Sequence, residues 1–310
     1  MKKFFAALVV VICVSGTVSA ADKQLLGLMM PEAKVLGGMN VLQVRSSPYG
    51  QYLLTQGPFN DPQFQQFVQA TGFDPLNNIT EIVAATPGVP GDNSGLAAVR
   101  GTFNVAQIVA FVKTTGGTVD ESQGAPLILS PDKRMAIALV DSTLAVAGDT
   151  NSVIAALARR SAPSALDPAL VAKATTLSVT ADAWAVTTIN PGSVGLQAGK
   201  GPNGVDLSAL QNIQQSSAGV KFGTSVNVTA EVVADTPQNA DMLASLLRLV
   251  VQMAQLNPNS AEIATLTQSL AIKTDGSAIE VSLSIPEDLL EQLSPAHHRV
   301  RTRKVAVGRK

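Results

Sequence analysis

The chain has 310 residues, 46% of them hydrophobic and 15% charged, which supplies a large core and excludes a disordered polymer. Aromatic residues are only 4%, so that core must be packed from Ala, Val, Leu and Ile, and two His with one Cys leave little material for imidazole or thiolate chemistry. The net charge of −1 conceals an asymmetry: residues 22–298 carry 14 basic and 23 acidic side chains, a net of −9, whereas residues 299–310 carry six basic side chains and no acid.

The first element is an export signal. Lys2 and Lys3 precede an uncharged apolar run from Phe4 to Val14, and Val18-Ser19-Ala20 places small side chains where a signal peptidase reads them. The expected cleavage lies between Ala20 and Ala21. Eleven apolar residues are too few to span a bilayer as a helix, which takes about 20. The single Cys13 lies inside this run and follows Ile12, where a lipoprotein signal needs a small residue. The expected mature chain therefore has no cysteine, no disulfide and no lipid anchor, and is held by its core in the periplasm or the medium.

Beyond the signal, hydrophobic periodicity predicts mixed helices and strands. Met39 to Arg45 reads as a strand, and Ser47-Pro48 opens a helical turn through Tyr49, Tyr52 and Leu53. Asp61-Pro62 starts a helix with Phe64, Phe67 and Val68 on one face, closed by Gly72. Ile79–Ala85 and Leu96–Phe103 read as strands separated by a Pro/Gly-rich loop. Asn104 caps a helix with Ile108, Phe111 and Val112 inward, ended by Gly116-Gly117. Leu127–Leu129, Met135–Val140 and Thr143–Ala147 are short strands, and Asp149 caps a helix running to Arg159 and Arg160. The second half begins with a strand at Trp184–Ile189. Asp206 then caps a short helix through Leu207, Leu210 and Ile213, and Val220–Phe222 and Val226–Val233 are strands. Thr236-Pro237 starts a long helix to about Leu256, read as buried between two layers. Leu270–Lys273 and Ala278–Ile285 form a hairpin on Asp275-Gly276, and Pro286-Glu287-Asp288 opens a last helix to Leu293.

Each half has the order strand, helical segment, two strands, helix, strands, helix. The expectation is an α+β fold made by tandem duplication of an antiparallel sheet packed with helices on one face. Its parts are a signal peptide at 1–20, a first domain at 25–163, a second at 167–294 and a basic disordered tail at 295–310. The join at Pro163-Ser164-Ala165-Leu166-Asp167-Pro168 reads as a linker, and whether the halves share one sheet stays open.

Catalytic patterns fail one after another. His297 and His298 are the only imidazoles and lie beside the basic terminus, so His-dependent hydrolysis or a zinc site in the body has no imidazole to draw on. Ser130-Pro131-Asp132-Lys133 matches the Ser-x-x-Lys spacing of penicillin-recognising enzymes, but Pro131-Asp132 reads as a turn that splays the two side chains. Asp141-Ser142-Thr143, Asp149-Thr150-Asn151 and Asp235-Thr236-Pro237 lack the glycine of an aspartic protease turn. Gly199-Lys200-Gly201-Pro202-Asn203-Gly204 matches a dinucleotide fingerprint by letters, without a strand leading into it. Sugar hydrolysis by paired carboxylates has few aromatic platforms to work with, and Trp184 lies on an apolar strand where it reads as core. No catalytic residue, cofactor site or metal site is assigned, and no nucleic acid partner is expected. The one segment with a partner preference is Arg299, Arg301, Arg303, Lys304, Arg309 and Lys310, which suits an anionic envelope component.

Gly72-Phe73-Asp74-Pro75 before a strand, Gly101-Thr102-Phe103 before a helix, Leu144 to Asp149 leading into another, and Ser284-Ile285-Pro286-Glu287 before the last form a recurring punctuation. In this order the chain resembles uncharacterised exported bacterial proteins built from two similar α+β halves. The resemblance implies an exported domain pair and brings no activity or site residue with it. The functional expectation is a non-catalytic binding or scaffolding protein of the cell envelope. The alternative is a hydrolase using only Ser/Lys or Asp/Glu side chains.

Overall fold

The computed structural model describes residues 21–55, 62–89, 91–92, 94–162, 165–191, 208–255, 266–267 and 269–286. The expected signal segment, Asp206, the 199–204 glycine cluster, the helix expected after Pro286 and the basic terminus lie outside the described residues.

Twelve strands pair in one antiparallel sheet: β1 (Val35–Asn40), β2 (Ile79–Thr86), β3 (Leu96–Gly101), β4 (Thr118–Asp120), β5 (Leu127–Leu129), β6 (Met135–Leu139), β7 (Leu144–Asp149), β8 (Ala183–Thr187), β9 (Ile213–Phe222), β10 (Ser225–Ala234), β11 (Ala271–Asp275) and β12 (Ala278–Pro286). Their spatial order is β11-β12-β10-β9-β8-β1-β2-β3-β7-β6-β5-β4. In the first half β1, β2 and β3 form a meander, and β7 of the β6–β7 hairpin returns to lie beside β3. In the second half β8, β9 and β10 form the same meander, and β12 of the β11–β12 hairpin returns beside β10. The duplicated order is thus repeated in the topology, with β4 and β5 extending one edge. The question the sequence left open has a single answer, because β1 pairs directly with β8 and the two halves share one sheet.

The helices follow the same repeat. Both α1 (Lys23–Leu28) and α8 (Pro168–Thr180) precede the first strand of their half, while α6 (Val105–Thr114) and α9 (Pro237–Gln255) lie between the meander and the hairpin. Side-chain alternation assigns the faces. Leu96 and Ala98 of β3 and Leu144 and Val146 of β7 join one cluster with Leu25 of α1, Leu170 of α8 and Val153 of α7 (Thr150–Arg159). Val99 and Ala145, one residue out of step, join Ile108 of α6 on the opposite face, where Phe67 of α4 (Pro62–Thr71) also packs. Helices therefore cover both faces of the antiparallel sheet, where the sequence reading placed them on one.

Other departures have local causes. The strand expected from Met39 to Arg45 ends at Asn40, whose side chain accepts the Gln43 N–H at 3.0 Å and caps the short helix α2 (Val41–Ser46). Val41 and Val44 then fall on one buried face. At the join, Asp167 accepts the Ala169 N–H at 2.8 Å and Pro168 opens α8, so a helix starts where a linker was read. The β-branched run of α8 (Thr175, Thr176, Val179, Thr180) hides its helical character from propensity, but Leu170, Ala174 and Leu177 make a regular buried stripe. Ile213, read as the end of a short helix, opens β9 after a 3-10 turn at Ser208–Asn212. The long helix α9 buries Ala240, Leu243 and Ala244 but leaves Met242, Leu249 and Val250 in solvent, so it packs on one side and not between two layers. Among the described residues no helix is long and apolar enough to cross a membrane.

At the seam between halves Trp184 is buried and directly opposite Gly38 in register. A Cβ at Gly38 would sit inside the indole, so this glycine is required by close approach. Gly38→Ala is expected to destabilise the protein by about 1–3 kcal/mol, the usual range for overpacking. Denaturant unfolding followed by the fluorescence of Trp184, the only tryptophan, measures it.

Candidate functional site

A concavity lies where α8 crosses the second half of the sheet. It is a cleft of about 270 Å³ with Lys173, Thr176 and Thr180 of α8 on one wall. Its floor is the polar side of β9, β10, β12 and β11, where Ser217, Thr229, Glu231, Glu280, Ser282 and Lys273 line it. The floor exists because β10 and β12 alternate polar and apolar residues: Val232 and Val281 pack under α9 on the other face, which turns Glu231 and Glu280 toward α8. Register then sets the charges side by side. Glu231 lies directly opposite Glu280, and Glu280 directly opposite Lys273. Lys173 reaches from α8 to Glu231 with Nζ–Oε1 at 2.7 Å, both side chains about a quarter exposed or less. Two carboxylates and two ammonium groups thus share one cleft with no net charge, beside hydroxyl groups. Chemically the arrangement suits a polar, uncharged or zwitterionic group.

Two further charge clusters tie the halves to the central strands. Asp182 is buried at the start of β8 and accepts from Lys221 Nζ at 2.5 Å and from the Phe222 N–H at 2.8 Å. Its own backbone bonds to Val220 and Asn40, so it clamps β9 and β1 to β8. Near α1, Arg100 binds Asp22 and also donates to Gln24 Oε1 at 2.9 Å, while Glu81 accepts the Asp22 N–H at 3.2 Å. Burial pushes the Glu81 carboxyl above the ordinary range; the Asp22 N–H opposes this, and the neighbouring Asp22 carboxylate adds to it.

The described residues of the catalytic patterns make structural bonds. Ser130 Oγ donates to Asp132 Oδ1 at 2.7 Å and accepts the Met135 N–H at 3.0 Å, inside the turn between β5 and β6. Lys133 sits in that turn at φ 58°, its carbonyl taken by Thr150 Oγ1 at 2.8 Å. Asp141 accepts both N–H and hydroxyl of Thr143, at 2.7 and 2.8 Å, and these bonds outweigh burial to hold its carboxyl below the usual range. Asp149 caps α7 through the Ser152 N–H at 2.9 Å, and Asp235 accepts from Asn239 Nδ2 at 2.7 Å. Trp184 is in the core. Arg299, Arg301, Arg303, Lys304, Arg309 and Lys310 lie outside the described residues. Among the described residues no group of three or more His, Cys, Asp or Glu side chains is placed to hold a metal ion. Sequence order alone does not reveal the cleft. Its only sequence signal is the alternation Thr229-x-Glu231 and Glu280-x-Ser282, and alternation does not say which strands pair.

Fold and cleft together define an α+β protein built on one large antiparallel sheet. Among solved structures the chain is similar to three crystal forms of TP0453, a Treponema lipoprotein. Form III is 12% identical with a TM-score of 0.58, covering 86% of this chain and 95% of that one. Form I is 12% identical with a TM-score of 0.53 over 88% and 96%, and form IV is 11% identical with 0.55 over 90% and 99%. No family model matches the chain and no curated protein matches it. At this identity the likeness is one of fold.

Two outcomes follow for the motif residues. A fluorescent penicillin is expected to leave Ser130 unlabelled, as read by gel fluorescence and peptide mass. Asp149→Ala is expected to cost about 0.5–2 kcal/mol at pH 7, the range for a lost N-cap. Burial pushes the Asp149 carboxyl up, but its hydrogen bonds outweigh that and hold it below the ordinary range. Its contribution is therefore present above about pH 3.9 and is lost as pH falls through the lower folded value. Parallel urea melts of both proteins from pH 7 to pH 2.5 should converge at the acid end.

Proposed function

We propose that this chain is an exported, non-catalytic protein of the bacterial envelope that works by binding or scaffolding. The observation that carries the reading is the cleft beneath α8, whose carboxylates are matched by ammonium groups: Lys173 is on Glu231, and Lys273 stands opposite Glu280. Glu231, held this way, is poorly placed to act as base or nucleophile, whereas a neutral array of donors and acceptors suits reversible polar contact. The residue inventory supports the same reading, since the sequence between Ala21 and Ala296 has no His and no Cys. The basic segment 299–310 supplies a second contact, to an anionic lipid or polyanion surface, worth about 1 kcal/mol per basic side chain close to such a surface.

One feature favours the hydrolase alternative. Glu231 and Glu280 are direct cross-strand neighbours in a cleft, the arrangement in which a carboxylate pair divides acid and base roles. Binding without catalysis predicts that Glu231→Gln and Glu280→Gln alter partner capture while no hydrolytic turnover is lost.

The experiment is capture from the protein's own envelope fraction by the chain beginning at Ala21, with and without residues 299–310. Co-sedimentation with anionic and with neutral vesicles at low and high salt runs alongside. Specific capture by the folded body and salt-sensitive retention on anionic vesicles that requires 299–310 are the expected results. Recovery of no partner by either protein, together with indifference to anionic vesicles, sinks the reading.

A further inference from the structure

The chain that cleavage between Ala20 and Ala21 would create begins inside the core. Ala21 is 4% exposed and packs with the main cluster beside α1. Its backbone nitrogen donates to Ser178 Oγ of α8 at 2.7 Å, and the next N–H, that of Asp22, donates to Glu81 Oε1 of β2 at 3.2 Å. One residue advances the chain by at most about 3.6 Å, so the Ala21 nitrogen lies within about 7 Å of the Glu81 carboxylate.

The surrounding charges make this position selective for a cation. Arg100 of β3 is engaged by Asp22 and also stands near Asp141, and Lys221 of β9 is engaged by the buried Asp182 that borders Ser178. Glu81 is one of three carboxylates, with Asp22 and Asp141, that share the single guanidinium of Arg100, its partner in register on β3. It is half-buried, next to the like charge of Asp22, and its hydrogen bond comes from a neutral amide. Hydrolysis of the Ala20–Ala21 bond takes up one water, sends the new carboxylate away with residue 20 and leaves an ammonium on Ala21.

We propose that removal of residues 1–20 installs the α-ammonium of Ala21 as a built-in cation of the fold, held by Ser178 and facing Glu81, so that processing locks the amino terminus onto the seam between the two halves. The proposal rests on the export reading above. It implies an order of events: with Ala21 packed inside, a peptidase meets the bond before α1 is seated, and the mature terminus then docks. It also gives the first element a reason to start where it does, because Asp22 both caps α1 at Gln24 and neutralises Arg100.

The test compares three proteins: the chain beginning at Ala21 with a free amine, the same chain with that amine acetylated, and one carrying Gly-Ser before Ala21. An α-amino group titrates near 7.7–8.0 when unperturbed, as in the unfolded chain; burial alone would lower the folded value, and the lock requires that pairing with Glu81 outweigh burial and raise it. The stabilisation is therefore complete below about pH 7.7 and fades as pH rises through the folded value. At pH 6.5 the free-amine protein is expected to melt about 2 °C or more above the other two, a gap that closes by pH 10. Glu81→Gln and Ser178→Ala should each shrink the gap at pH 6.5. Equal melting at pH 6.5, or a gap that survives both pH 10 and Glu81→Gln, overturns the lock. The intact mass of the product from the full-length chain expressed in bacteria is expected to begin at Ala21. A product that keeps residues 1–20 overturns the export reading and this proposal together. Correct cleavage without a pH-dependent gap overturns this proposal alone.

Discussion

The antiparallel pairing of β1 with β8, with Trp184 laid over Gly38, is the contact on which the rest of the molecule depends. Each half alone is a meander with a returning hairpin, and its first strand would be an unpaired edge. Joining the two first strands removes both inner edges and, among the described residues, makes one twelve-stranded sheet with β11 and β4 at the rims. The chain then needs one large aromatic at the seam and a backbone without a Cβ beneath it. α8 lies over this seam, touching β8, β1 and β9, and carries Ser178 toward Ala21 and Lys173 toward Glu231. Ala21 and the cleft are therefore positioned by the same helix.

The acidic body raises the question of where its carboxylates go. Asp22, Asp74, Asp149 and Asp167 cap helices, Asp120, Asp132 and Asp141 close turns, and Asp182 clamps three strands. The hydrogen bonds on Asp120, Asp132, Asp141 and Asp149 hold those carboxyls below the ordinary range. That favours structure over acid–base chemistry at these positions. In a protein with few aromatic residues and no cysteine after Cys13, such bonds specify turns and helix ends that an aliphatic core leaves undefined.

The likeness to TP0453 at 12% identity has a physical basis in the same features. A sheet face of Val, Ile, Leu and Ala tolerates extensive exchange provided that alternation and volume are kept. Topology, fixed by turns and caps, outlasts the side chains that fill it. Shared fold at this distance therefore carries no residue of a site from one chain to the other.

Much of this architecture is legible in the amino-acid order. The caps at Asp74, Asn104 and Asp149, the Asp275-Gly276 hairpin, the Ser130–Lys133 turn and the repeated order of elements are local, set by hydrogen bonds within three or four residues. The core identity of Trp184 follows from its apolar strand. What local order does not carry is partnership between distant segments. Periodicity alone could not place the β1–β8 seam, assign α6 and α9 to the face opposite α8, or set Glu231 beside Glu280 across 49 positions of chain. Those features were decided by tertiary structure, because strand pairing depends on which two edges can meet at least cost, and α8 is helical because its Leu170, Ala174 and Leu177 have a sheet to pack against despite a β-branched run that argues otherwise.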